Sequence, residues 1–122
     1  MTVSFGRAMR SNVNLLIGVA GPSGSGKTFS ALRLASGISD GAPFAVIDTE
    51  RGRSKHYADQ FTFDVAEMDN EIDKPFAPAR YLEAIEAADK AGYPCIVVDS
   101  MSHSWAGDGG CQDIHDAALS RM

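Results

Sequence analysis

The sequence predicts an α/β fold built on a mainly parallel sheet, and three observations carry that prediction. Short apolar runs, LLIGVA (15–20), FAVID (44–48) and CIVVD (95–99), each stop abruptly at a glycine turn or a charge, as strands buried on both faces do. Segments with apolar residues at helical spacing lie between them. Strands that alternate with helices are joined by crossovers, which makes neighbouring strands parallel.

Leu15–Ala20 is the first expected strand, followed at once by a glycine-rich loop. From Lys27 to Ser36 the sequence KTFSALRLAS predicts a helix with Ala31, Leu34, Ala35 and Ile38 on its inner face and Gly37 as its stop. After the turn Asp40–Pro43, FAVIDTE (Phe44–Glu50) reads as a second buried strand and FTFDVAEM as a third, weaker one. The acidic stretch Glu67–Asp73 is expected to be a solvated loop. Pro78 then opens a helix with Tyr81, Leu82, Ile85 and Ala88 on one side, closed by Gly92. YPCIVVDS supplies a strand ending at Asp99, and Ile114, Ala117 and Ala118 mark a last helix.

With 122 residues the chain is expected to form one domain, residues 1–122, which buries about two-thirds of its unfolded surface and needs no staples. A net charge of -5 excludes a wholly basic coat for nucleic acid, so any anion site must be local. Cys95 and Cys111 do not make a disulfide framework. The opening MTVSFGRAMR lacks the apolar core of a secretory signal, and no run approaches the roughly 18 apolar residues of a membrane span. A cytoplasmic protein with no membrane partner is therefore expected.

The loop between the first strand and its helix is GPSGSGKT, Gly21 to Thr28. In a parallel sheet this loop faces the ligand-binding edge. Gly21, Gly24 and Gly26 let the backbone close around a phosphate, with Pro22, Ser23 and Ser25 completing the cradle and the helix N-terminus adding its field. Lys27 reaches the β- and γ-phosphates, the Thr28 hydroxyl ligates Mg²⁺, and Phe29 continues the nucleotide contact on the first helical turn. The pattern is the P-loop, or Walker A, signature in full, in its proper setting between strand and helix. Asp99, ending CIVVD, has the form of the Walker B carboxylate that holds the magnesium shell. Hydrolysis also requires a group to orient or deprotonate water. Glu50 at the end of VIDTE is the preferred candidate, with Asp48 as its competitor. Lys27, Glu50 and Asp99 are thus the expected catalytic residues, and ATP and Mg²⁺ the expected cofactors.

In the order GPSGSGKT, VIDTERG, IVVDSMSH the sequence resembles the RecA-like ATPases, an AAA/RecA-type domain, in particular the small phage-encoded ATP-binding proteins of recombination and single-strand annealing. The resemblance runs from about Asn14 to Asp113. It implies a three-layer sandwich around a mainly parallel sheet, water activation at Glu50, and a DNA-binding role for the segment SMSHSWAGDGG; single-stranded DNA and further copies of the chain in a homo-oligomer are the expected partners. Such sheets insert a strand between the Walker B strand and the P-loop strand. No segment up to Met122 supplies it, so the core is expected to be incomplete at its C-terminus: either the chain is a piece of a longer protein, the preferred reading, or a truncated core takes its missing strands from another chain.

Within Met101–Gly110, Trp105 is read either as a stacking platform for a base or as a packed side chain, and His103 as a γ-phosphate sensor or a surface residue. His103, Cys111 and His115 lack the paired spacing of a zinc site. Arg51, Arg53, Lys55 and His56 form the main basic cluster. Two other functions share the P-loop: a small-molecule kinase, with DTERGR gripping its acceptor, and a nucleotide-binding switch or assembly factor without turnover.

Overall fold

The computed structural model describes residues 2–9, 14–22, 24–68 and 74–122. Most of the acidic stretch, residues 69–73, lies outside them, as does Ser23. Among the described residues the elements are α1 (Lys27–Ile38), β1 (Phe44–Asp48), a 3-10 turn (Arg53–Tyr57), β2 (Phe63–Glu67), α2 (Pro78–Lys90), β3 (Ile96–Asp99), a short α3 (Ser102–Ala106) and α4 (Cys111–Ser120). The strands form one three-stranded sheet in the order β2-β1-β3, with both pairings parallel.

The central strand explains the layering. Every residue of β1 is buried, and alternate side chains leave a strand on opposite faces. Phe44 and Val46 join Leu32 and Ala35 of α1 on one face, with Tyr57, Phe61, Phe63 and Val97 packed around them. Ile47 meets Tyr81 of α2 and Met68 on the other, with Phe76, Ile85 and Val98 alongside. Helices therefore cover both faces of a small parallel sheet, which is why FAVID is apolar without alternation.

Four expectations are corrected. Leu15–Ala20 is not a strand: residues 14–20 carry no regular structure, and Leu15 and Leu16 are 75% and 101% exposed. Strands in a sheet lie about 4.8 Å apart, so a run destined for a place one strand removed from β3 would sit about 10 Å away from it. No described element fills the position between, and the run has no ladder to join. In α1 the buried positions are Leu32 and Ala35, whereas Leu34 and Ile38 are about half exposed. Gly37 lies inside α1 and does not stop it; the chain turns at Asp40 and Gly41, whose φ angles are 51° and 80°, with the Gly41 N–H donating to the Ser36 carbonyl. On α2, Tyr81 and Ala88 are buried but Leu82 is exposed.

Ile47 sits mid-strand with 2% exposure. Ile47→Val is expected to lower stability by about 0.5–1.5 kcal/mol, the usual cost of deleting one buried methyl group, read as a shift of the urea midpoint at constant slope.

Candidate functional site

Three strands deliver three carboxylates to one edge. Asp48 of β1 is in register with Glu67 of β2 and with Asp99 of β3, and each is handled differently. Glu67 forms an ion pair with Lys55, N···O 2.5 Å. Asp48 is fully buried and accepts three hydrogen bonds, from the Glu50 N–H (2.7 Å), the Ser54 N–H (3.1 Å) and the Ser54 hydroxyl (2.5 Å). These bonds shape the turn 49–54, where Arg51 has φ 55° and Gly52 φ 77°. A Cβ on Gly52 would also lie 2.9 Å from a Glu67 carboxylate oxygen and displace that side chain, but it is the positive φ that calls for glycine. Ser54, the partner that keeps Asp48 satisfied, was not legible from the sequence except through the turn signal of Gly52.

Asp99 accepts a hydrogen bond of 2.9 Å from the Thr28 hydroxyl, across 71 residues of sequence. The first turn of α1 is thereby tied to the end of β3, and the two expected metal ligands are brought together. Burial pushes the Asp99 carboxyl above the usual carboxylate range; the Thr28 bond works against this, the neighbouring Asp48 and Glu50 carboxylates add to it, and Arg53 lowers it.

The loop before α1 takes the curved path its glycines allow. Gly24 and Gly26 have φ of 79° and 88°, a left-handed region open to glycine at little cost. The Ser25 N–H donates to the Pro22 carbonyl at 3.2 Å, and Lys27 Nζ to the Gly21 carbonyl at 2.5 Å. A Cβ on Gly21 would lie 2.8 Å from the Ser25 hydroxyl oxygen. The half-buried ring of Phe29 packs against Tyr57 and Phe61, with centroids 5.9 and 5.6 Å apart. What Phe29 has to offer a nucleotide is therefore its backbone at the start of α1.

Glu50 follows β1 directly and remains partly exposed. Its Oε1 accepts from the Ser100 hydroxyl at 2.9 Å and lies 3.4 Å from His103 Nε2. Ser100, which sequence reasoning did not single out, is itself fixed: its N–H donates to the Thr49 hydroxyl (2.8 Å), and its carbonyl accepts from Thr49 (3.1 Å) and from the Tyr81 hydroxyl (3.0 Å). Burial pushes the Tyr81 phenol above its ordinary value. Beside Glu50 a cleft of about 430 Å³ is lined by Thr49, Arg51, Arg53, Pro75, Phe76 and His103. Trp105 is 61% exposed on α3. The segment expected as a loop thus contains a helical turn.

A family model described as an AAA domain matches residues 14–113. The chain belongs to the AAA domain family. Neither the curated proteins nor the solved structures compared with it include a match. Membership makes this a nucleotide-binding, ATPase-type P-loop domain, and the three-stranded parallel sheet flanked by helices is the part of that fold the AAA domain presents here. No helix among the described residues is long and apolar enough to cross a membrane.

The raised Asp99 carboxyl yields a prediction for the AAA domain. Folding penalises the ionised form, so the penalty is absent where Asp99 is protonated in both folded and unfolded states and sets in as pH rises past the ordinary carboxylate range. Asp99→Asn, which removes the charge and keeps an acceptor for Thr28, is expected to raise the melting temperature of the nucleotide-free protein at pH 7. A lower melting temperature would contradict this account.

Proposed function

We propose that the chain binds ATP with Mg²⁺ at the GPSGSGKT loop and hydrolyses it, with Lys27, Glu50 and Asp99 as the working groups, in the service of phage DNA recombination or single-strand annealing. The observation that carries this reading is the convergence of Thr28, Asp99 and Glu50 at one sheet edge, beside backbone N–H groups at the start of α1 that suit phosphate.

Thr28 and Asp99 offer a hydroxyl and a carboxylate oxygen, the hard donors a divalent cation such as Mg²⁺ prefers, in a place where clustered carboxylates favour positive charge. The cation, when bound, supplies neutralisation of phosphate charge. Lys27 contributes a further positive charge, and the Gly24 and Gly26 conformations leave the backbone open to close approach. Glu50, on the mouth side of β1 and partly exposed, accepts a proton from water or orients it toward the terminal phosphate. Asp48 is less suited to that task because its carboxylate is buried and already engaged three times over.

The DNA part of the reading is supported by the motif order and by the local surface. Arg51 and Arg53 are exposed at the cleft, and Trp105 stands exposed just beyond β3; guanidinium and aromatic groups together suit a single strand. Lys55 of the same cluster is engaged with Glu67, so it contributes less. A cytoplasmic homo-oligomer fits this role.

Two sets of measurements test the proposal. Lys27→Ala is expected to lose ATP binding, whereas Glu50→Gln keeps it and turns over about 10²-fold more slowly, the usual worth of a positioned base; isothermal titration and a phosphate-release assay decide. Micromolar ATP affinity in Lys27→Ala would sink the assignment, and ATP bound without any hydrolysis would favour the switch reading. Single-stranded DNA is expected to stimulate hydrolysis. Trp105→Ala should weaken its binding by about 1–3 kcal/mol in fluorescence anisotropy with a non-hydrolysable analogue present, while equal affinity in the variant would remove Trp105 from the DNA site.

A further inference from the structure

We propose that His103 is a positioning residue for Glu50, holding one carboxylate oxygen so that the other is presented to the attacking water. The inference rests on the ATPase reading above and deepens it.

The geometry is one-sided. Ser100 Oγ at 2.9 Å and His103 Nε2 at 3.4 Å both approach Oε1 of Glu50. Among the described residues Oε2 has no hydrogen-bond partner. A flexible glutamate at the end of a strand has several accessible rotamers, and two contacts on one oxygen select among them. The Ser100 contact is a hydrogen bond, whereas His103 Nε2 stands within ion-pair distance; contacts to groups that act on water are often long until substrate binds.

The imidazole is seated by a surface built for it. Its ring stacks on Phe76 with centroids 4.7 Å apart and planes 25° from parallel. The backbone carbonyl of His103 accepts from the Gly107 N–H at 2.8 Å, and the Phe76 N–H donates to the Asp108 carbonyl at 3.0 Å. A Cβ on Gly107 would lie 2.6 Å from the His103 carbonyl oxygen and 2.8 Å from the Phe76 ring, so only glycine lets α3 and the Phe76 segment close on each other. The backbone contacts fix where α3 places residue 103, and the Phe76 stack orients its imidazole. Through that seat the orientation of Glu50 depends on α3, the element that also carries Trp105.

The test is steady-state ATP hydrolysis by the full chain, with wild type, His103→Ala, His103→Gln and Glu50→Gln assayed side by side. His103→Ala is expected to lower kcat by about 10- to 10²-fold, the scale of a displaced catalytic group, while KM for ATP stays within twofold. His103→Gln keeps an uncharged N–H donor at similar reach and is expected to recover most of the loss. Unchanged or raised kcat in His103→Ala overturns the proposal, as does a His103→Gln variant no better than His103→Ala. If Glu50→Gln is slow while His103→Ala is normal, only the positioning role fails; if Glu50→Gln turns over normally, the water-activating role of Glu50 fails and this inference falls with it.

Discussion

The structure depends on the in-register ending of three parallel strands in Glu67, Asp48 and Asp99. Neighbouring strands lie about 4.8 Å apart, and like charges at that spacing in a partly buried setting repel strongly. The three carboxylates cannot be accommodated in the same way. Glu67, partly exposed at 32%, takes a lysine. Asp48, in the middle and fully buried, is neutralised in effect by three hydrogen bonds from its own turn. Asp99 receives one hydroxyl, and its carboxyl is pushed up chiefly by burial, with the neighbouring Asp48 and Glu50 carboxylates adding to this. Asp99 thus stands at the end of β3 with a hydroxyl partner from α1, where Glu67 has a lysine and Asp48 its own turn.

From that edge the rest of the site is arranged by short connections. The same bonds that satisfy Asp48 fold residues 49–54 back on themselves and leave Glu50 at the rim rather than in the core. Thr49, whose hydroxyl both donates to and accepts from the Ser100 backbone, locks the ends of β1 and β3 together beyond the last ladder pair. Tyr81 adds a third bond from α2. A helix from each face thus reaches the edge: α1 through Thr28 and α2 through Tyr81.

Much of this was legible in the sequence because it is written locally. The glycine loop, the two carboxylates ending apolar runs, the Pro78 start and the Gly92 stop each depend on a few adjacent residues, and the elements they predict are found within a residue or two, apart from the first strand. The failures are non-local. LLIGVA has the composition of a buried strand, but a strand also needs a partner, and composition says nothing of the neighbour. The inner face of α1 was misjudged for the same reason: Leu34 and Ile38 share a helical face with Ala31 and Ala35, yet which part of that face is covered depends on what packs there, and Phe44 and Val46 draw in Leu32 instead. Ser54 and Ser100 carry no pattern at all. A serine becomes a site residue only when a carboxylate arrives beside it, and six residues of turn or fifty residues of fold bring that about.

The contact between Thr28 and Asp99 depends on the fold that brings the two residues together. Closing a 71-residue separation carries a loop-closure cost that one hydroxyl bond, with a net worth of about 1 kcal/mol, does not offset by itself. What holds the two residues in reach is the packing of α1 on β1 and the pairing of β1 with β3, which place α1 beside the end of β3. The hydrogen bond then selects the Thr28 rotamer and the Asp99 orientation rather than the fold. Its energy is small, but its directional effect is large: the hydroxyl on the first turn of α1 and the carboxylate at the end of β3 face each other.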